Sequence, residues 1–353
     1  MSKVLMNQLI NSYLIRYDKL VPLVREAFKF CNNATELNIY IDIFSIVKSL
    51  YKIDYEMKEY STLSSCVINM CAHYRDFFRN AKIKTNFYLV YSKNCPYINN
   101  QFYKNYNFTS QANFNADKSI DDMIQFNIDL MELFCKYLDD IYFIKGTFET
   151  GVIIHDLILR NQKDKKRIPN LILTKDIYNY QLVTNNDTVI FRPKKTSNGD
   201  ESYYVDHYNL MNRYLADRNT KQQTLTLLPE TLSLLMTLSS VKERGIKMLC
   251  NVTTAMSTIQ RAIDNYKILN GYNSDTTIIW NGIDNDKLKI SEIEFSNRFK
   301  AIDIPYQHQI YYNTPECKNI EQFLVNLSDP KTMKAINAEY FIHNQLDFDR
   351  LSN

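Results

Sequence analysis

The sequence is poor in glycine and proline, and it has no long apolar run. Its 353 residues include 6 Gly, 8 Pro and 1 Trp against 26 Tyr. The 7 Cys form no CxxC pair, which excludes the usual zinc-ligand spacing, and their apolar neighbours favour buried free thiols in a reducing compartment. No apolar run approaches the roughly 18 residues of a membrane span. Met1–Asn11 has neither the basic nor the apolar part of a signal peptide. We therefore expect no membrane partner and an intracellular place of assembly.

Charge of neither sign dominates. The chain has 42 Lys and Arg against 39 Asp and Glu, a net charge of +3. This balance is compatible with nucleic-acid contact but does not indicate a strong basic field. The surplus of Tyr, Asn, Ile and Lys is typical of coding from an AT-rich genome, for which a phage is a natural source.

Apolar strands and amphipathic helices alternate along the first two thirds of the chain. This alternation predicts an α/β fold with a central, mainly parallel sheet flanked by helices. Helical spacing is clearest over Met57–Ala81, whose apolar stripe makes His73 a packed or solvent-edge histidine in our interpretation. The predicted strands are Leu37–Ile43, Thr85–Tyr91, Ile141–Ile144, Leu171–Leu173 and Thr188–Phe191.

Composition suggests five regions. We predict an N-terminal helical arm (1–36), the α/β core (37–192), a polar, turn-rich linker (193–224), a helical region (225–270) and an unassigned C-terminal extension (271–353). Within the core, the aromatic segment Lys93–Lys118 reads as a long loop. Its aromatic side chains could stack on bases or bury against a neighbouring subunit, and we favour the subunit.

Two aspartates come at the ends of predicted strands. Asp42 closes the first strand, and Asp176 follows the strand Leu171–Leu173. The carboxyl ends of strands in an open parallel sheet are where ligands and metals bind. An aspartate before a helical turn is equally an N-cap. The residues alone leave both interpretations open.

The segment Asp176-Ile-Tyr178-Asn-Tyr-Gln181-Leu-Val resembles the flap endonuclease and 5′→3′ exonuclease (PIN-like) family, which has Ser-Gly-Asp-x-Asp-x-x-Gln-Leu-Val there. Asp42 stands in the place of the family's first metal ligand, and Glu149 matches the first acid of its Glu-Ala-Asp-Asp-x-x-Ala helix.

Two further segments extend the resemblance. Phe102–Asn107 is similar to the Tyr-Lys-x-x-Arg signature of the family's arch over DNA, with Lys104 retained. Leu228–Met248 is similar to its helix-turn-helix segment, although the chain keeps few of the glycines that such phosphate-gripping elements require. In all, five segments between roughly Leu37 and Ile268 occur in the family's order, which implies a PIN-like fold.

The family's other acids are replaced. Gly151 and Val152 stand for two aspartates, Tyr178 for a third acid, and Leu238 and Val241 for acids of the helix-turn-helix segment. Two-metal hydrolysis needs carboxylates on both ions, about 4 Å apart. The resemblance therefore implies a degraded metal site. Its remaining acids, which could hold at most one ion, are Asp42, Glu149 and Asp176.

The favoured hypothesis is a non-catalytic structural or interaction protein that reuses a degraded 5′-nuclease fold. Composition suggests a tailed, crAss-like phage and a virion component such as a portal–tail neck ring or adaptor protein. We then expect a homo-oligomer that contacts other virion proteins, has no cofactor and uses no catalytic residue. Its location would be the virion, or the host cytoplasm during assembly or replication.

Two alternatives remain open from the sequence. One is a Mg²⁺-dependent 5′→3′ exonuclease or flap endonuclease of phage replication, with metal on Asp42, Glu149 and Asp176 and with Lys104 on the scissile phosphate. The other is a catalytically dead single-strand or flap DNA-binding protein. Its candidate contacts are Lys104, Lys242, Arg244 and Lys247. A solvated helix face explains the last three equally well.

Overall fold

A computed structural model describes the parts of the chain from which the fold is built. These are residues 34–45, 62–92, 118–136, 138, 140–163, 168–192, 195–196, 199–200, 203–218, 227, 229–239, 241, 244, 246–266, 280 and 290–320. Over these ranges, no helix combines the length and apolar character that crossing a membrane requires. The helical arm over 1–36 lies almost wholly outside them, as does the segment Lys93–Lys118.

Six strands form one central sheet. They are Glu36–Asp42 (β1), Lys84–Ser92 (β2), Ile141–Gly146 (β3), Asn170–Leu173 (β4), Thr188–Arg192 (β5) and Tyr203–Val205 (β8). Their spatial order is β3-β2-β1-β4-β5-β8, and only β8 runs antiparallel to its neighbour. The predicted strands and the mainly parallel sheet are confirmed. A separate two-stranded ribbon pairs β6 (Lys195–Thr196) with β7 (Gly199–Asp200).

Helices cover both faces of the sheet. They are α1 (Thr62–Asn80), α2 (Lys118–Cys135), α3 (Thr150–Lys163), α4 (Leu210–Asp217), α5 (Leu232–Ser239), α6 (Val252–Tyr266), α7 (Glu292–Ile302) and α8 (Ile304–Tyr312). Short 3-10 helices span Ile177–Leu182 and Pro229–Thr231. The last two helices each begin at a side-chain cap, because Ser291 accepts from the Glu294 amide and Asp303 from the Tyr306 amide.

The alternation of side chains along each strand builds two cores. In β1, Ile39 and Ile41 face α1 and α2, while Tyr40 faces α3 and the C-terminal helices. The core on the Tyr40 side of the sheet is the larger one, and it includes Leu235 of α5, Ile259 of α6 and further residues of α7 and α8. The C-terminal helices therefore share one core with the sheet.

The linker expected over 193–224 is corrected by the structure. Its described residues include β8, which pairs antiparallel with β5, and helix α4. Leu210 and Tyr214 of α4 are buried in the larger core, which gives this segment a packing role that its polar sequence concealed.

Candidate functional site

The carboxyl edge of the sheet brings together the ends of β1 and β4. The chain moves outward from β1 through β2 to β3 and then returns to add β4 on the other side of β1. Such a reversal opens a crevice at the carboxyl ends of the strands. Asp42 ends β1, and Thr174 follows β4 directly. Thr174 Oγ1 donates to Asp42 Oδ2 at 2.8 Å, which ties the two strand ends together.

Asp42 is fully enclosed by donors of the protein itself. Besides Thr174, its Oδ2 accepts from Asn179 Nδ2 at 3.0 Å, and its Oδ1 accepts from the Ser45 amide at 3.2 Å. Burial, followed by the nearby charge of Asp176, raises the pKa of Asp42 to about 7. At neutral pH this carboxyl group is therefore close to half protonated.

Asp176 is a helix N-cap, one of the two interpretations that its sequence position allowed, and it also forms an ion pair. Its Oδ1 accepts from the Tyr178 amide at 3.0 Å and caps the 3-10 helix Ile177–Leu182. Its Oδ2 lies 2.5 Å from Nη2 of Arg244. The Asp176 side chain keeps 17% of its surface exposed, so the crevice reaches solvent beside it.

The guanidinium of Arg244 lies at the centre of the site. Its Nε donates to Glu149 Oε1 at 3.0 Å and its Nη2 to Glu149 Oε2 at 3.2 Å, a bidentate pair. The side chains of Arg244 and Glu149 are only 2% and 1% exposed. Glu149 stands directly before α3, and Arg244 lies between α5 and α6, so this ion pair joins the helical layer to the sheet edge.

An aromatic ring covers the guanidinium. Arg244 Cζ lies 4.6 Å from the ring centroid of Tyr178, a cation–π distance. The Tyr178 hydroxyl accepts from Gln307 Nε2 at 3.2 Å, which holds the ring in place from α8. Gln181, the other residue that matches the family motif, accepts from the Ile304 amide and donates to the Ile302 carbonyl.

The positions at which family acids are replaced are filled rather than open. Val152, Leu238 and Val241 are buried in the larger core. A Cβ atom on Gly151 would lie 2.6 Å from Asn179 Oδ1 and 3.0 Å from Ile304 Cδ1. The site therefore offers no space for the missing carboxylates without movement of its neighbours.

The three retained acids do not fit a metal ion in this arrangement. Arg244 contacts Glu149 and Asp176, and Asp42 is engaged with three donors of the protein. Magnesium needs several hard oxygen ligands in near-octahedral geometry, whereas a cation already balances two of these carboxylates. Among the described residues, no group of three or more His, Cys, Asp or Glu is arranged to hold a metal.

Of the four candidate DNA contacts, Arg244 and Lys247 lie in the part of the chain that the structure describes. Arg244 faces carboxylates in the interior rather than solvent, whereas Lys247 is exposed. Lys104 and Lys242 lie outside the described residues, so their roles stay predictions.

A second charged cluster joins α3 to the C-terminal helices. Asp156 accepts from Arg160 Nε at 2.6 Å, and its Oδ1 lies 2.9 Å from His308 Nε2. Arg160 also donates to Cys317 Sγ at 3.1 Å. The rings of His155 and His308 meet edge to face with centroids 5.1 Å apart. Burial, followed by the His308 charge, lowers the pKa of His155 to about 4, so this ring is neutral at physiological pH.

Only a weak signal in the sequence pointed to the central position of Arg244. The guanidinium meets carboxylates 95 and 68 residues earlier in the chain, and no local pattern pairs them. Asn179 and Thr174, which hold Asp42, were also missed because they are common turn residues. The one available signal was the presence of a basic residue beside positions where acids had been lost.

Comparison with solved structures establishes the fold. A T5 protein co-crystallised with metal ions is 10% identical with a TM-score of 0.55, covering 83% of this chain and 99% of that one. The T5 5′-exonuclease with bound zinc is 11% identical with a TM-score of 0.52, covering 86% and 97%. A scan against protein-family models and a search of curated proteins gave no match. The chain has a flap-endonuclease-like fold, and that expectation from the sequence is confirmed.

Proposed function

We propose that this protein is a non-catalytic structural or interaction protein built on a 5′-nuclease-like fold. The observation that carries the proposal is the buried Arg244 guanidinium, which is bidentate to Glu149 and in contact with Asp176. The two acids that a nuclease would use for metal here hold the helical layer on the sheet. Removing one partner of such a buried pair typically costs about 3–5 kcal/mol.

The chemistry of the site supports this proposal from a second direction. Cleavage of a phosphodiester by metal ions needs carboxylates that are ionised and turned toward the ion. Asp42 has its pKa raised to about 7 and uses its oxygens within the protein. A divalent cation would have to approach a guanidinium that carries a fixed positive charge.

The proposed setting is a phage virion, as part of a neck ring or adaptor at the portal–tail junction. The support is compositional: the AT-rich bias fits a phage source, and 26 Tyr and 19 Phe in 353 residues offer aromatic side chains for contacts between copies. In this setting the partners are further copies of the chain and other virion proteins.

A cleavage assay and a mass measurement test the proposal together. Purified protein is incubated with a labelled 5′-flap substrate and Mg²⁺ or Mn²⁺, and its mass in solution is determined by light scattering. We expect an oligomer and no metal-dependent product, with Asp176→Asn protein indistinguishable from wild type in the assay. A monomer whose flap cleavage disappears in Asp176→Asn would overturn the proposal in favour of the nuclease. Flap binding without cleavage, with affinity falling steeply as salt rises, would favour a DNA-binding protein instead.

A further inference from the structure

We infer that Glu149, Asp176 and Tyr178 form a cradle specific for a guanidinium ion, which Arg244 of the same chain fills. The inference rests on the proposed function, because it states what occupies the former nuclease site. It assigns the site a ligand class, a planar monovalent cation, in place of a spherical divalent one.

The carboxylate contacts fit the donor pattern of a guanidinium. Glu149 accepts from Nε and Nη2 of Arg244 at 3.0 and 3.2 Å, and Asp176 accepts from Nη2 at 2.5 Å. A guanidinium presents rigid, coplanar donors that match such acceptors, whereas an ammonium is a compact point charge without a plane. The acceptor arrangement therefore favours a guanidinium over a lysine head group.

The face of the cation is recognised by a different group. The ring of Tyr178 lies 4.6 Å from Arg244 Cζ, and burial leaves this ring with 0% exposure. Tyr178 stands where the resembling family has an acid, so one carboxylate has been replaced by a π face. An aromatic ring is not a ligand for Mg²⁺, but it stabilises a delocalised cation at this distance.

Asp176 and Tyr178 are each held in place by contacts that do not involve Arg244. Asp176 is fixed as the cap of the 3-10 helix, and the Tyr178 hydroxyl is fixed by Gln307 at 3.2 Å. Because these supports do not come from Arg244, the cradle should keep its shape when the guanidinium is removed. The partly exposed Asp176 side chain gives a small ion a route inward.

Chemical rescue tests the cradle directly. Arg244→Ala is expected to lower Tm by about 5 °C or more, since it removes the guanidinium that pairs with Glu149 and Asp176 in the interior. Ethylguanidinium at millimolar concentration should recover a large part of the loss in a saturable way. Ethylammonium at the same concentration and ionic strength should not, and neither should Mg²⁺.

Arg298→Ala is the matched control. Arg298 is also buried, at 4% exposure, but it donates to Glu294, whose side chain is 45% exposed, and to the Lys247 carbonyl. Loss of Arg298 should lower Tm without rescue by ethylguanidinium. Equal rescue of both variants would overturn the inference, as would rescue of Arg244→Ala by ethylammonium, by Mg²⁺ or by none of the three ions.

If Arg244→Ala does not fold, Arg244→Lys tests the same inference. Lysine retains the charge but has one donor nitrogen in place of two and no planar group, so the Tm of the variant should fall well below wild type. A lysine variant as stable as wild type would overturn the guanidinium-specific cradle. These outcomes are independent of flap cleavage by wild-type protein, which tests the proposed function.

Discussion

Gly151 and Asn179 are in such close apposition that no larger residue fits at position 151. The Cβ of such a residue would lie 2.6 Å from Asn179 Oδ1. Asn179 cannot turn away freely, since its Nδ2 donates to Asp42 at 3.0 Å and to Thr174 at 3.1 Å. The glycine at a position where the resembling nucleases have an acid is thus a packing requirement of this chain.

Restoring that acid should therefore destabilise the protein instead of creating a metal site. Overpacking of this kind costs about 1–3 kcal/mol, so we expect Gly151→Asp to lose at least that much in urea unfolding. Adding Mg²⁺ should not recover the loss. In an Asn179→Ser background the same substitution should cost less, because the facing amide is gone. A Gly151→Asp protein with wild-type stability and a Mg²⁺-dependent rise in Tm would contradict this account.

Asp42 should make stability depend on pH. Its folded pKa of about 7 lies above the ordinary 3.8, so the folded protein holds a proton that the unfolded chain releases. The resulting stabilisation is present below pH 4 and is lost as pH rises through 7. Asp42→Asn removes the titration, although it also disturbs hydrogen bonds. The free energy of unfolding of wild type relative to this variant should decrease between pH 5 and pH 8, and a constant difference would refute the shift.

His155 should act in the opposite direction. Its folded pKa of about 4 lies below the ordinary 6.5, so the unfolded chain binds a proton that the folded protein excludes. Its contribution is present above pH 6.5 and is lost as pH falls toward 4. The other groups of this cluster are the His308 ring, Asp156 and Arg160. His155→Phe should flatten the acid side of the stability profile, measured by denaturant midpoints at pH 4.5, 5.5 and 7. A profile as steep as wild type would show that His155 does not titrate in this way.

The strands were predictable because apolar runs such as Leu171–Leu173 carry their own signal. The hydrogen-bond and ion-pair partners of the acids were not predictable, because those partners come from distant segments of the chain. Asp42 and Asp176 were correctly placed at strand ends, yet their partners Arg244 and Asn179 come from other elements. A sequence motif reports which side chains reach the crevice and does not report which of them are already paired there.

The polar composition of the segment after β5 led to the prediction of a linker for a different reason. It is rich in turn residues, which predicted a linker, but Leu210 and Tyr214 supply an apolar stripe too short to stand out. A helix of 8 residues obtains most of its stability from packing rather than from propensity. Helix α4 therefore depends for its stability on its packing in the larger core.

The position of Leu238 offers a test of the helical layer. This residue is 0% exposed in the larger core, at a position where the resembling family carries an acid. Leu238→Ala should cost about 2–5 kcal/mol of unfolding free energy, as large-to-small changes in a packed core do. Ile293, which is 73% exposed, provides the control, and Ile293→Ala should stay within about 0.5 kcal/mol. Similar losses for both variants would mean that α5 is not packed in the larger core as described.

Tyr180 tests whether the segment of α4 is part of the folded core. Its ring is buried, and its hydroxyl donates to Asp217 Oδ2 at 2.6 Å and accepts from Arg192 Nη1 at 3.2 Å. Arg192 and Asp217 also form an ion pair, so the hydroxyl joins β5, the 3-10 helix and the end of α4. A hydrogen bond to a charged group contributes about 1.5–3 kcal/mol, and Tyr180→Phe should lose a comparable amount. Tyr312→Phe removes a hydroxyl from a ring that is 49% exposed, where water can replace lost contacts, and should cost less than Tyr180→Phe. Because this contact holds α4, amide hydrogen exchange in Leu210–Asp217 should be faster in Tyr180→Phe than in wild type. Unchanged exchange in this helix would show that other contacts stabilise it.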